Sequence, residues 1–225
     1  MDSLHAPSAV SIAVSGHQWW WEVEYEDATP NRRVKTANEI HVPIGRPVVI
    51  KVTSRDVIHS FWVPNLDGKR DLIPGYTTAV WIQADRAGTF RGQCAEFCGR
   101  QHAHMAFDLV AEPEADFEQW LARERRSADP PGDAVSQRGE AVFMTRQCVA
   151  CHTIRGTAAN GLYGPDLTHI ASRRTIGAGT LPNTREHMAG WIVNSQAAKP
   201  GNLMPPNVLP QTDVQDLLAY LETLR

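Results

Sequence analysis

The chain has 225 residues, of which 42% are apolar and 21% charged, and its formal net charge is −3. That balance fits a globular protein of one or two domains and excludes a fibrous or disordered chain; no nucleic-acid partner is expected. No run of about 18 apolar residues occurs, so these residues encode no membrane-spanning helix, and the opening MDSLHAPSAVSIAV, without a basic start or a long apolar core, does not read as a secretion signal.

The first half alternates apolar and polar residues. Val10, Ile12 and Val14 form one such run, Ile40, Val42 and Ile44 a second, and Val48, Ile50 and Val52 a third. Period two predicts half-buried strands. Pro and Gly punctuate them in VPIGRP, PNLDG and IPGY, which predicts a β-sandwich or small barrel.

The stretch CAEFCGRQHAHM (Cys94 to Met105) then places two cysteines, two histidines and a methionine within twelve positions. A single blue-copper centre uses one thiolate, two imidazoles and a weak thioether. Here two thiolates stand four residues apart, a pattern able to bridge two metal ions, each needing one more strong ligand. His59, from the upstream DVIHSFWVP, and His102 supply those; Met105 and the backbone carbonyl of Glu96 are available as weak ligands. A structural zinc ion accepts a Cys₂His₂ set as well, but leaves Met105 without a role. Met105, Phe107 and Leu109 continue as an alternating strand.

Beyond it, Glu112 to Arg126 brings Phe117, Trp120 and Leu121 onto one helical face, acidic at its start and basic at its end. Ser127 to Gln137 is rich in Pro, Gly, Ser and Asp and reads as a linker. The domains are therefore expected at 1–126 and 138–225, with the linker at 127–137. Splitting the chain after residue 135 gives 14 basic and 19 acidic residues before and 8 and 6 after, formal charges of −5 and +2.

The second half is helical. QRGEAVFMTRQ leads into Cys148-Val-Ala-Cys151-His152, the C-x-x-C-H pattern of covalent haem c attachment. The two thiols would carry the haem and His152 would be an axial ligand; a zinc knuckle or a thiol redox pair are the competing readings. An electron-carrying haem expects a sixth ligand, commonly methionine. Met204, in the proline-rich loop PGNLMPPNV, is the candidate; Met188 is the alternative, more at home in a helix core, and Met144 lies too close before the motif. His169 and His187 are expected at the surface. Val214, Leu217, Leu218, Leu221 and Leu224 form the apolar stripe of a final helix. With both motifs binding cofactors, none of the four cysteines remains for a structural disulfide; two short-loop disulfides are the opposing reading, and would constrain the unfolded chain little.

The second half resembles the class I cytochromes c, in Gly139 and Phe143 before the motif, in YGPDL with its Pro165, and in Tyr220, which the resemblance packs against the first helix near Gly139. The first half resembles the dinuclear copper (CuA) domain of haem–copper oxidase subunit II, in GHQWWWEVEY, DVIHSFWVP, DLIPG and the Cys94–Met105 loop. The expected fold is an all-β cupredoxin-like sandwich followed by an all-α cytochrome c domain. The resemblance implies two copper ions bridged by Cys94 and Cys98, one served by His59 and Met105, the other by His102 and the Glu96 carbonyl; the spacing selects His102 over His104. It implies that Trp19 is a surface tryptophan where electrons arrive from cytochrome c. Glu22, Glu24, Glu26 and Asp27 are either an acidic docking patch or ordinary solvated residues. The Glu96 side chain resembles a ligand to a magnesium ion shared with the catalytic subunit.

Together the halves resemble the fused subunit II of caa-type cytochrome c oxidases. That implies a relay of electrons from haem c to the copper pair and on to the catalytic subunit, which reduces oxygen, with a soluble cytochrome c or another periplasmic donor upstream. It also implies the periplasmic side of a bacterial membrane and a membrane hairpin missing ahead of these residues by truncation. A free-standing periplasmic carrier and the relay subunit of a copper-containing nitric oxide reductase are the alternatives.

Overall fold

The structure, a computed structural model, describes residues 9–225; residues 1–8, part of the stretch read for a secretion signal, lie outside the described residues. It divides into two compact units, one reaching to Arg125 and the other running from Arg126 to Arg225.

The first unit is a two-sheet sandwich followed by a helix. Its strands are β1 (Val10–His17), β2 (Trp20–Tyr25), β3 (Val34–Ala37), β4 (Glu39–Pro43), β5 (Val48–Ser54), β6 (His59–Trp62), β7 (Arg70–Leu72), β8 (Thr78–Ile82), β9 (Gly88–Cys94) and β10 (Ala106–Glu112), and the helix is α1 (Glu114–Glu124). One sheet runs β3-β2-β1-β5-β8, the other β4-β10-β9-β6-β7. The β1–β5 and β4–β10 pairs are parallel. The chain crosses between sheets at Asn38, in the left-handed region at φ 61°. Its side-chain oxygen accepts the Trp21 N–H at 2.8 Å and so holds the crossing against β2. The inward residues of both sheets meet in one core, in which the Trp21 ring stands edge-on to Phe61 at 6.1 Å and Phe107 at 5.3 Å.

Two features depart from simple alternation. Every residue of β4 is buried, because α1 covers its outer face: the Trp120 ring stacks on His41 at 4.2 Å, with an interplanar angle of 7°. Helix α1 begins two residues later than the apolar spacing suggests, since Glu112 still belongs to β10 and Pro113 stands at the N-cap.

The second unit holds α2 (Ala134–Thr145), the single turn α3 (Cys148–Cys151), the two-residue strands β11 (Thr175–Ile176) and β12 (Leu181–Pro182), α4 (Arg185–Ala198) and α5 (Gln211–Leu221). Helices α2 and α5 cross where Gly139 lets the backbones close: a Cβ there would lie 2.0 Å from the Asp216 carbonyl oxygen and 2.7 Å from Tyr220 Cβ. Tyr220 is fully buried, its ring 6.1 Å from Phe143. Arg138 grips Asp216 with two hydrogen bonds, at 2.8 and 3.0 Å, beside the crossing. Helix α2 starts inside the stretch read as linker, because Asp133 caps it by accepting the N–H groups of Val135 and Ser136. The start of that stretch is also tied down, with Ala128 N–H donating to the Arg155 carbonyl at 2.9 Å. His169, expected at the surface, is buried: it is 2% exposed, and its Nε2 lies 3.1 Å from the Arg126 carbonyl. Among the described residues no helix is long and apolar enough to cross a membrane.

Candidate metal and haem centres

Strand pairing brings the upstream histidine to the cysteine loop. Phe61 of β6 pairs with Cys94 of β9, so His59, two residues away on the same face, points toward the same end of the sheet. The loop closes on itself, since Cys94 N–H donates to the Met105 carbonyl at 2.9 Å and Ala95 N–H to the Ser60 carbonyl at 3.0 Å. Between these ties a 3-10 turn, His102–His104, presents His102. Gly16 makes room for His59, whose Cδ2 would lie 2.8 Å from a Cβ at that position.

The donors gather around two sulfurs. Cys94 Sγ and Cys98 Sγ are 3.7 Å apart, far beyond a disulfide bond, and all four cysteines are free. His59 Nδ1 lies 3.9 Å from Cys94 Sγ, while His102 Nδ1 lies 3.6 Å from Cys98 Sγ. Met105 Sδ is 3.9 Å from Cys98 Sγ, and the Glu96 carbonyl oxygen 3.2 Å from Cys94 Sγ. His59 and Met105 are fully buried and both cysteines nearly so. His59, Cys94 and Cys98 form a group whose ligand atoms all lie within 4.8 Å of one another, and His102 is not in it. A single tetrahedral ion would hold all four donors within about 4 Å of each other. His102 instead stands by Cys98 on the other side of the sulfur pair from His59. His104 does not join: it is exposed, with Nδ1 2.8 Å from Gln101 Oε1.

The two thiols ionise as a pair. The hydrogen bond from Cys98, against the opposing effect of burial, lowers Cys94 to about 3, and the same bond pushes Cys98 up. Asp56, singled out by no sequence pattern, accepts from His59 Nε2 at 2.7 Å and from the Gln18 backbone N–H at 2.6 Å. Burial would raise its carboxyl; the bonds from His59, Val57 and Gln18 outweigh that and lower it. A carboxylic residue three positions before a candidate ligand histidine was the available signal.

Trp19 sits against this loop but not as an exposed ring. It is 8% exposed, and its Nε1–H donates to the Cys98 carbonyl at 2.9 Å, beside Gln18 Nε2 at 2.8 Å. The loop admits it because Gly99, at φ 109°, carries no Cβ, which would lie 3.2 Å from Trp19 Cζ2. The carboxylates that follow form no bare acidic patch. Glu22 and Glu24 face Lys35 at 3.9 and 3.6 Å, Glu26 bonds Lys51 at 2.6 Å, and Asp27 lies 3.3 Å from Arg32.

In the second unit Cys148 and Cys151 lie on one helical turn, and His152 follows it with its N–H on the Cys148 carbonyl at 3.0 Å. His152 Nδ1 donates to the Pro165 carbonyl at 2.8 Å, which leaves Nε2 free to ligate iron. Gly164 lies against the ring: a Cβ there would be 2.7 Å from His152 Cε1. These residues fit a covalent haem. Met204 is half-buried and held by its backbone, its N–H on Asn202 Oδ1 at 2.9 Å and its carbonyl accepting from Ser195 Oγ at 2.8 Å and Gln196 Nε2 at 2.9 Å. Met188 is buried in the apolar core of α4 and α5. His187 is half-buried.

Comparison with known proteins agrees with both halves. Residues 28–112 match the family described as cytochrome c oxidase subunit II, periplasmic domain, and residues 136–225 match cytochrome c. The chain is 37% identical to cytochrome c oxidase subunit 2 of Alkalihalophilus pseudofirmus over 97% of its own length and 62% of that protein. It is 30% identical to the same subunit of Bacillus sp. strain PS3 over its whole length and 65% of that protein. It thus spans just under two thirds of these relatives. The crystal structure of the periplasmic domain of subunit II of cytochrome oxidase from Bradyrhizobium japonicum aligns with a TM-score of 0.50 at 30% identity, covering 53% of this chain and 96% of that one. The chain therefore joins a cytochrome c oxidase subunit II periplasmic domain, a cupredoxin-like sandwich with a His/Cys/Cys group able to hold a metal, to a helical cytochrome c domain with a C-x-x-C-H turn.

Proposed function

We propose that the chain is the electron-relay portion of a caa-type cytochrome c oxidase, with the copper domain in the first unit and the haem domain in the second. The observation that carries this is the pairing of each sulfur with its own imidazole, Cys94 with His59 and Cys98 with His102. In this reading Cys94 and Cys98 would be shared by two copper ions, with His59 and Met105 holding one and His102 and the Glu96 carbonyl holding the other. Cys148 and Cys151 would carry the haem, His152 and Met204 would hold its iron, and Trp19 would be the point where electrons arrive. When bound, the copper pair and the haem supply one-electron exchange between a periplasmic donor and the catalytic subunit that reduces oxygen.

The residues contribute placement. His59 and Met105 are fully buried, which keeps water from their side of the site. The backbone ties at Cys94 and Ala95 hold the loop without the metal. The Glu96 side chain is proposed as a ligand to a magnesium ion shared with the catalytic subunit, and attachment is through a membrane hairpin of the full-length subunit, on the periplasmic side. Metal analysis and electron paramagnetic resonance of copper-loaded protein test the reading. The expected result is two coppers per chain with a seven-line hyperfine pattern; one copper with four lines, or preferential retention of zinc, overturns it.

A further inference from the structure

We propose that Asp56 is a positioning residue that fixes, with its two carboxylate oxygens, both the metal-facing imidazole of His59 and the contact of Trp19 with the cysteine loop. The proposal rests on the reading of His59 as a copper ligand.

Oδ1 of Asp56 lies 2.7 Å from His59 Nε2, and the opposite ring nitrogen, Nδ1, faces Cys94 Sγ at 3.9 Å. An imidazole binds a metal through Nδ1 only when that nitrogen carries no proton. Donation of Nε2–H to a carboxylate selects that tautomer and fixes the ring plane. Oδ2 of Asp56 accepts the Gln18 backbone N–H at 2.6 Å. Gln18 Nε2 and Trp19 Nε1 then both donate to the Cys98 carbonyl, at 2.8 and 2.9 Å. One carboxylate therefore closes a circuit that begins at the ligand beside Cys94 and ends at the backbone of Cys98. No other side chain in the described hydrogen-bond network touches both His59 and Gln18.

The competing role for Asp56 is local. Its Oδ1 also accepts the Val57 N–H at 2.7 Å, and its own N–H donates to Ser54 Oγ at 3.1 Å, so it could merely shape the turn before β6. Ser54 separates the two roles: it supports the turn and touches neither His59 nor Gln18, and its own approach to Asp56 Oδ1 is a long one, at 3.5 Å, against 2.7 Å from His59 Nε2.

The test uses Asp56→Ala, Asp56→Asn and Ser54→Ala. In metal-free protein, the Trp19 indole N–H resonance is followed by ¹⁵N nuclear magnetic resonance. In copper-loaded protein, the hyperfine pattern, the reduction potential and the affinity against a copper chelator are measured. Asp56→Ala is expected to lose about 10–100-fold in copper affinity, to alter the hyperfine couplings and potential, and to move the Trp19 indole resonance. Asp56→Asn, which keeps one acceptor oxygen for three donors, should show the same changes to a smaller extent, and it carries the test if the alanine variant does not fold. Ser54→Ala should leave all four readouts as in the parent. The proposal is overturned if the Asp56 variants match the parent, if Ser54→Ala reproduces their changes, or if copper binding changes while the Trp19 resonance stays fixed. A parent protein with no two-copper signature fails the underlying reading instead, and is recognised before any variant is compared.

Discussion

Replacing His41 with glutamine removes an imidazole that has a carboxylate on each side, Glu112 Oε1 at 2.7 Å from Nδ1 and Glu39 Oε1 at 3.1 Å from Nε2. Both ring nitrogens donate at once only in the charged form. Burial opposes that charge, but the bonds to Glu112 and Glu39 outweigh it and raise His41 above its ordinary 6.5. The sign follows: because the folded value lies above the unfolded one, the stabilisation is complete below about pH 6.5 and is lost as pH rises through the folded value. The side chains are 11% (His41), 11% (Glu39) and 19% (Glu112) exposed, so solvent screening is weak. Leaving the carboxylates without their cation costs about 3–5 kcal/mol at pH 6. With a urea slope of about 2 kcal/mol per molar, the midpoint falls by roughly 2 M. Tryptophan fluorescence reads the relevant unit, because six of the seven tryptophans lie before residue 126. The His41→Gln deficit should be large at pH 6 and shrink by pH 9. An equal deficit at both pH values refutes the imidazolium assignment, and a negligible one at pH 6 refutes the energetic argument.

Two further expectations concern the haem unit. Gly139→Ala places a Cβ 2.0 Å from the Asp216 carbonyl oxygen, which belongs to backbone and cannot swing away; the variant should lose about 2–3 kcal/mol or more in thermal unfolding of that unit, and an unchanged melt would contradict the helix crossing. Met204→Leu in haem-loaded protein should abolish the sulfur-to-iron charge-transfer band while Met188→Leu keeps it, and the reverse outcome would assign the sixth ligand to Met188.

The alternating strands were legible because β1 and β5 bury one face against the other sheet, and the ligand loop was legible because its donors are close in sequence. What failed was information carried by distant packing. His41 stands between the inward residues Ile40 and Val42 and reads as solvent-facing, yet α1 covers it. His169 is buried with its Nε2 against the Arg126 carbonyl, 43 residues away in sequence. The helix start at Ala134 was hidden by the Pro and Gly around its capping Asp133. Trp19, which the resemblance puts at the surface, is covered because the positive φ of Gly99 lets the loop fold over the ring. The place of Asp56 three positions before His59 was readable, but its tie to Gln18, 38 residues away in sequence, was not.

The closure of the cysteine loop by the Cys94–Met105 backbone bond has a mechanical consequence. Five of the six proposed donors, all but His59, ride on that single connection between β9 and β10. A breathing motion of the hairpin carries those five as one block and stretches only the distance to β6. Were copper held as proposed, its release would begin at the imidazole of His59, and the stiffness of the β6–β9 seam would set how long the metal stayed.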